Sequence, residues 1–285
     1  MHDTRAHLCS AEDHAQYLAR TEPLRAYKRH VLPALLKPRW PRRRKPKLPG
    51  FSVPAGQIVA FFMDPEVRLD DGSYNLRENI KCPLTAFYCR MRAAIHAVME
   101  HETDLSAQAY INEQKTHLYR FFNERFSNLH GSEYLGDGLP LGQTDASGLR
   151  NEDATRLTYA DNSFDLAMSF EVLEHIPDFA AALSETHRTL RPGGRFYFTA
   201  PFIPTRDEHL IRAKLEDGKI HHILEPEMHG DPVTGEGILC FQHFGWQILR
   251  DLEAAGFQSA YALAYDEVEY GYYTQDPILI FRAVA

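Results

Sequence analysis

A chain of 285 residues, 44% hydrophobic and 25% charged, reads as an ordinary soluble protein, long enough for one large core plus a smaller appendage. Its four cysteines are widely spaced without a CxxC, and neither a leader pattern nor a run of 18 apolar residues is visible, so the expectation is a cytoplasmic protein without a disulfide scaffold. The net charge of −8 is uneven: residues 1–50 hold 12 Lys/Arg against 4 Asp/Glu, leaving −16 on the remainder, which argues against a general nucleic-acid binder.

Residues 11–36 predict one or two short helices with Tyr17, Leu18, Leu24, Tyr27, Val31 and Leu35 as apolar positions. KPRWPRRRKPKLPG (37–50) follows; its prolines forbid regular helix, and it reads as an exposed basic linker. GQIVAFFMD suggests a strand of a small N-terminal unit. Cys82 and Cys89 lack partner cysteines at metal-ligand spacing, so they read as two buried thiols. YCRMRAAIHAVMEH then places Met91, Ile95, Val98 and Met99 on one helical face.

From residue 108 the pattern becomes alternating strand and helix. AYI (109–111) forms a strand, Thr116 caps a helix carrying Leu118, Tyr119, Phe122 and Phe126, and NLHGSEYLG (128–136) gives a second strand. A short third strand falls near 147–151. FDLAMSF (164–170) is the near-continuous apolar run of a buried parallel strand. Asp178 caps a helix running to Leu190, Arg191–Gly194 stops it, and RFYFTAP (195–201) is the next strand. Residues 202–240 form a long insertion dense in His, Glu and Asp. A helix around 243–255 and antiparallel strands at 261–265 and 277–283 complete the chain. This order predicts an α/β, doubly wound, mostly parallel seven-stranded sheet over 105–285, with 1–104 as an N-terminal extension. Ligands of such sheets gather beyond the carboxyl ends of the strands.

Asp153 in NEDATRL, the Phe164-Asp165 pair, EVLEHIPD and RTLRPGGRFYFT, in this order and spacing, resemble the class I S-adenosylmethionine-dependent methyltransferases over about 105–285. The resemblance implies a methyltransferase using S-adenosylmethionine. It assigns Glu133, with Tyr134 beside it, to the ribose, Asp153 and Ala154 to the adenine, and Ser169 and Phe170 to the cofactor's other side. The chain departs from the family at the first turn. Where a glycine-rich loop is usual it reads YINEQKTHLYR, with no glycine from 104 to 130. Two accounts stand: Glu113, Gln114 and Thr116 build a different wall around the amino-acid end, or the domain is a scaffold that no longer binds the cofactor.

Glu171, Glu174 and His175 form an ExxEH group at the mouth of the sheet. Two carboxylates and an imidazole can hold Mg²⁺ or Zn²⁺, and some relatives do so; the alternative is that they only cap and hold the loop. Among the insertion's polar groups, His229 and Asp231 are catalytic or substrate-contacting candidates, His222 and His243 further contacts, and Arg212 a counter-charge for an acidic substrate. His175 or His229 is the candidate general base. The expected reaction is O-methylation of a small polar or sugar-like acceptor. Neither nucleic acid nor membrane is an expected partner, and the tyrosine-rich 265–274 segment suggests a homodimer.

Overall fold

The computed structural model describes residues 5–36, 47–64, 67, 74–230, 235 and 237–285; the core of the basic tract (37–46), the side chain of Leu35 and Asp231 lie outside them. No helix among the described residues is long and apolar enough to cross a membrane. The chain divides into two compact units: Met1–Leu8, Glu12–Glu102 and Leu263–Ile280 form one, and Cys9–Ala11, Thr103–Ala262 and Phe281–Ala285 the other.

In the first unit, helices α1 (Ala11–Arg20) and α2 (Glu22–Leu36) occupy the expected span. Strand β2 (Lys47–Ser52) pairs antiparallel with β3 (Gln57–Phe62), so the linker expected to run to residue 50 ends earlier and its last residues enter a ribbon. Pro49 is tolerated because a two-stranded ribbon leaves one edge of each strand without a ladder partner. Cys82 and Cys89 are fully buried thiols, as expected. Helix α3 (Cys89–His101) buries Ile95 and Val98, but also Arg92 and His96, so it is enclosed on more than one face. Most of their polar atoms are paired: Arg92 donates to the carbonyls of Tyr270 (2.7 Å) and Gly271 (3.0 Å) through its terminal nitrogens, and Nδ1 of His96 lies 3.0 Å from the Tyr272 hydroxyl.

The second unit is built on parallel pairing of β4 (Gln108–Ile111), β5 (Asn128–Gly131), β6 (Phe164–Phe170) and β7 (Leu190–Thr199). The Arg191–Gly194 segment expected to separate helix from strand lies inside β7, with a register shift between Phe164 and Leu166 on its neighbour. Helix α4 (His117–Asn123) starts at Thr116, whose hydroxyl accepts the Tyr119 N–H at 3.0 Å. Asp178 likewise accepts from Ala181 N–H at 3.0 Å and starts α5 (Phe179–Thr189). After α6 (Gln247–Ala254) come β14 (Ser259–Tyr265) and β15 (Ile278–Val284), the latter antiparallel to β7.

With β1 (His7–Leu8), the sheet order is β1-β14-β15-β7-β6-β4-β5. The parallel strands step outward in both directions from β4 and β6, and β15 inserts antiparallel between β14 and β7: this is the α/β, Rossmann-like methyltransferase fold with a seven-stranded mixed sheet. The expected third strand is reduced to a parallel bridge between Glu133 and Asn151. The insertion, expected as a long excursion dense in His, Glu and Asp, is laddered. Among the described residues, it and the segment just after it form three antiparallel ribbons: β8 (Leu210–Ile211) with β13 (Gln242–His243), β9 (Ala213–Glu216) with β10 (Lys219–His222), and β11 (Met228–Gly230) with β12 (Gly237–Leu239).

Candidate active site

The carboxyl ends of β4, β5 and β6 carry one half of the site. Beyond β4, the glycine-free turn is held by a carboxylate: Oε1 of Glu133 accepts the backbone N–H of Gln114 (2.7 Å) and of Lys115 (2.9 Å). The Gln114 side chain reaches onward, accepting the Arg150 N–H at 2.7 Å and facing the Gly148 carbonyl at 3.4 Å. The turn packs closely against a glycine of the neighbouring strand. A Cβ on Gly131 would sit 2.5 Å from both Gln114 Cγ and Tyr119 Cε2 and 2.8 Å from the Glu113 carbonyl. Glu113 itself is buried.

Tyr134, directly after Glu133, is an aromatic ring left 60% exposed on the end of the sheet. Glu133 and Asn151 are bridged, so Asp153 follows on the adjacent segment. There Asp153 builds a tight turn: Oδ1 accepts the N–H (2.9 Å) and hydroxyl (2.7 Å) of Thr155, and Oδ2 accepts from Arg156 at 3.1 Å. Ala154 is half-buried in that turn. Ser169 and Phe170 are buried at the end of β6, where the Asn112 amide donates to the Ser169 hydroxyl at 3.5 Å.

The second half begins one residue past β6. Glu171 adopts φ +59°, a left-handed conformation that costs a non-glycine residue about 1 kcal/mol or more, and its N–H is anchored on the Thr199 carbonyl at 2.9 Å. The reversal sends Glu174 inward to full burial, and neither carboxylate oxygen makes a hydrogen bond among the described residues. Nδ1 of His229 and Nε2 of His175 stand 3.6 and 3.7 Å from its Oε1. Glu174, His175 and His229 bring their ligand atoms within 4.8 Å of one another; Glu171, expected in this group, is outside the set. Burial pushes the Glu174 carboxyl up to about 7. The contact with Glu174 and then that with Glu227 raise His229 to about 9.

The insertion is docked on this segment by its backbone. Phe241 N–H donates to the Glu174 carbonyl (2.8 Å), and the Gln242 amide donates to the carbonyls of Leu173 (2.8 Å) and Ile176 (3.0 Å). Nδ1 of His175 lies 2.8 Å from the Leu239 carbonyl, which can only accept, so that nitrogen carries the proton and Nε2 faces Glu174. Glu227 is the hub of the group. Its Oε1 accepts from Nε2 of His229 and of His243, both at 2.9 Å, and Arg212 lies 3.3 Å from Oε2. Arg212 also donates to the Glu225 carbonyl, so its charge is directed at the protein's own acid. Proximity to these imidazoles and to Arg212 holds Glu227 below the usual carboxylate range despite its burial. His222 lies apart from the group, exposed on β10.

Glu227 was visible only as one of many acidic and histidine side chains of the insertion that could supply a further ligand, and Cys240 and Gly131 were not singled out by the sequence pattern. The Cys240-Phe-Gln-His243 spacing was a legible signal for Cys240, and for Gly131 there was none, because its constraint comes from a neighbouring loop.

Residues 118–198 match the family model described as a methyltransferase domain. The chain is similar to a probable S-adenosylmethionine-dependent methyltransferase of Mycolicibacterium smegmatis, with 39% identity over 66 residues, 22% of this chain and 26% of that protein. A demethylmenaquinone methyltransferase of Mycobacterium marinum is 43% identical over 68 residues, 21% of this chain and 29% of that one. The chain thus matches under half the length of these curated relatives. Among solved structures, an S-adenosylmethionine dependent methyltransferase from Mesorhizobium loti aligns with a TM-score of 0.45 and 18% identity, over 69% of this chain and 98% of that chain.

Proposed function

We propose that this chain is an S-adenosylmethionine-dependent methyltransferase acting on an oxygen of a small, polar, sugar-like acceptor. The observation that carries the reading is the acidic pair Glu133 and Asp153 at the ends of bridged neighbouring segments, with the exposed Tyr134 ring beside them. A nucleoside needs acceptors for its ribose hydroxyls and exocyclic amine and a flat apolar surface for its base; these residues provide both. Ala154 offers backbone to the base, Ser169 and Phe170 form the floor, and Glu113 faces the amino-acid end. The bound donor supplies a methyl on a sulfonium, a strong leaving group, so alignment and water exclusion account for much of the rate. The polar group around Glu174 favours a hydroxylated acceptor.

The reading also assigns a divalent cation, Mg²⁺ or Zn²⁺, to Glu174, His175 and His229. The residues fit: a fully buried carboxylate lacks hydrogen-bond donors, and an imidazole nitrogen faces it from each side. Such an ion, when bound, lowers the pKa of an acceptor hydroxyl. Glu227 orients His229 through its outer nitrogen, and the Leu239 carbonyl orients His175 so that Nε2 is the atom offered to the ion; with no ion bound, that same nitrogen is the one able to accept the hydroxyl proton. Arg212 and His243 hold Glu227 in place; His222, exposed on the same insertion, is a substrate contact in this reading.

Calorimetry of ligand-free protein with S-adenosylmethionine and S-adenosylhomocysteine tests this. Binding of either tighter than about 1 mM is expected. Absence of both favours the competing reading, a methyltransferase-like scaffold in which Glu133 serves only to hold the first turn.

A further inference from the structure

A second group of ligand-type side chains lies on the insertion, beside the Glu174 group but built from other residues: Glu227, Cys240 and His243, whose ligand atoms all fall within 4.8 Å of one another. The local fold brings them together. Met228 is opposite Leu239 in the β11–β12 ribbon, so the next pair outward is Glu227 and Cys240, and Cys240 N–H donates to the Glu227 carbonyl at 2.9 Å. Directly opposed residues of an antiparallel pair project to the same face. His243 follows Cys240 at C-x-x-H spacing, a separation that recurs between the ligands of structural zinc sites. Cys240 is completely buried, its sulfur 3.4 Å from the Gln242 carbonyl, and Nε2 of His243 points at Oε1 of Glu227 from 2.9 Å. Arg212 addresses the other carboxylate oxygen, which leaves Oε1 as the ligand atom.

We propose that Glu227, Cys240 and His243 form a zinc site that locks the insertion onto the segment carrying Glu174 and His175. One sulfur, one imidazole nitrogen and one carboxylate oxygen suit a borderline-soft, tetrahedral ion, with water or a substrate atom in the fourth position. The set is distinct from Glu174, His175 and His229, which contains no sulfur and suits a harder ion. On binding, the Cys240 thiol proton passes to solvent as the zinc–sulfur bond forms, and the His243 proton moves from Nε2 to Nδ1, so that the Nε2 lone pair meets the ion. The ion would act as a positioning device. Cys240 is followed by Phe241 and Gln242, whose bonds to the Glu174, Leu173 and Ile176 carbonyls dock the insertion, and Glu227 orients His229. This goes beyond the methyl-transfer reading: loss of the zinc site leaves donor binding at Glu133 and Asp153 intact, so the two fail separately.

The test is cobalt substitution in the full-length, metal-freed chain. One equivalent of Co²⁺ should produce a near-ultraviolet thiolate-to-cobalt charge-transfer band that Zn²⁺ abolishes. The band should vanish in Cys240→Ala, weaken in His243→Gln and persist in Glu174→Gln. No band in the unaltered chain, or a band that survives Cys240→Ala, overturns the proposal. If the variants fail to fold, X-ray absorption on the unaltered zinc-loaded chain decides: one sulfur neighbour at about 2.3 Å is expected, and a shell of nitrogen and oxygen alone overturns it.

Discussion

Glu133 carries two duties in this account, and replacing it with glutamine separates them. Its Oε1 receives two backbone N–H groups from the turn after β4, at 2.7 and 2.9 Å. A glutamine carbonyl of the same length accepts both, so Glu133→Gln should keep the turn and lose under about 1 kcal/mol of stability. Its second group, however, becomes an N–H₂ donor facing ribose hydroxyls that themselves need an acceptor. Removing one charge-assisted hydrogen bond of this kind costs about 1.5–3 kcal/mol, or about 10- to 150-fold in donor affinity. Glu133→Ala removes both functions; with Lys115 exposed, water can replace part of the loss, so the stability deficit should be about 2 kcal/mol on top of the weaker binding. Urea unfolding and calorimetry with S-adenosylhomocysteine read the two quantities independently. Unchanged affinity in Glu133→Gln would refute the ribose assignment and leave the carboxylate as a turn anchor alone.

The remaining predictions concern packing, charge and burial. Gly131→Ala should cost about 1–3 kcal/mol and weaken donor binding, because its Cβ meets side chain and backbone of the turn at 2.5–2.8 Å; a neutral effect in urea unfolding would mean the turn yields freely. Glu174→Gln should raise unfolding stability by about 1 kcal/mol while abolishing methyl transfer, since a buried carboxylate without hydrogen bonds is kept at a cost; a destabilised variant contradicts this. His96 is packed among Arg5, Arg92, Glu100, His101 and the rings of Tyr265, Tyr270 and Tyr272, and burial followed by Arg5 lowers its pKa from 6.5 to about 4. The unfolded chain therefore takes up the proton first, and stability present above about pH 6.5 is lost as pH falls toward about 4, by about 3 kcal/mol. Urea midpoints across that range should fall less steeply in His96→Phe than in the unaltered chain; equal slopes would show that other groups set the acid limb.

The sheet was legible because its buried strands are short apolar runs and its helices begin at Thr116 and Asp178, side chains whose capping role is local. The third strand was legible as a position but not as an element, since its only pairing with β5's extension is the Glu133–Asn151 bridge. Pro49 and the basic residues before it concealed β2, whose existence depends on the apolar partner strand rather than on its own composition. In the insertion, Asp217-Gly218 signals a two-residue hairpin, and both residues have positive φ in the turn between Glu216 and Lys219. The surrounding charge outweighed that signal in a reading based on hydrophobic pattern. The site followed the same rule. Glu174 and His175 were visible because they are adjacent in sequence, whereas the placement of His229 beside them depends on a docking made by backbone bonds from Phe241 and by Gln242. Glu171 was drawn into the group by helical spacing, and the left-handed residue there breaks that helix.

The most direct measurement of the donor site is a crystal structure of the chain grown with saturating S-adenosylhomocysteine. The account predicts the ribose hydroxyls on Glu133, the adenine against Tyr134 with its amine toward Asp153, and the amino-acid end at the turn containing Glu113 and Gln114. A ligand-free cleft with the Gln114 side chain still bonded across to Gly148 and Arg150, under conditions where the nucleoside is abundant, would contradict it.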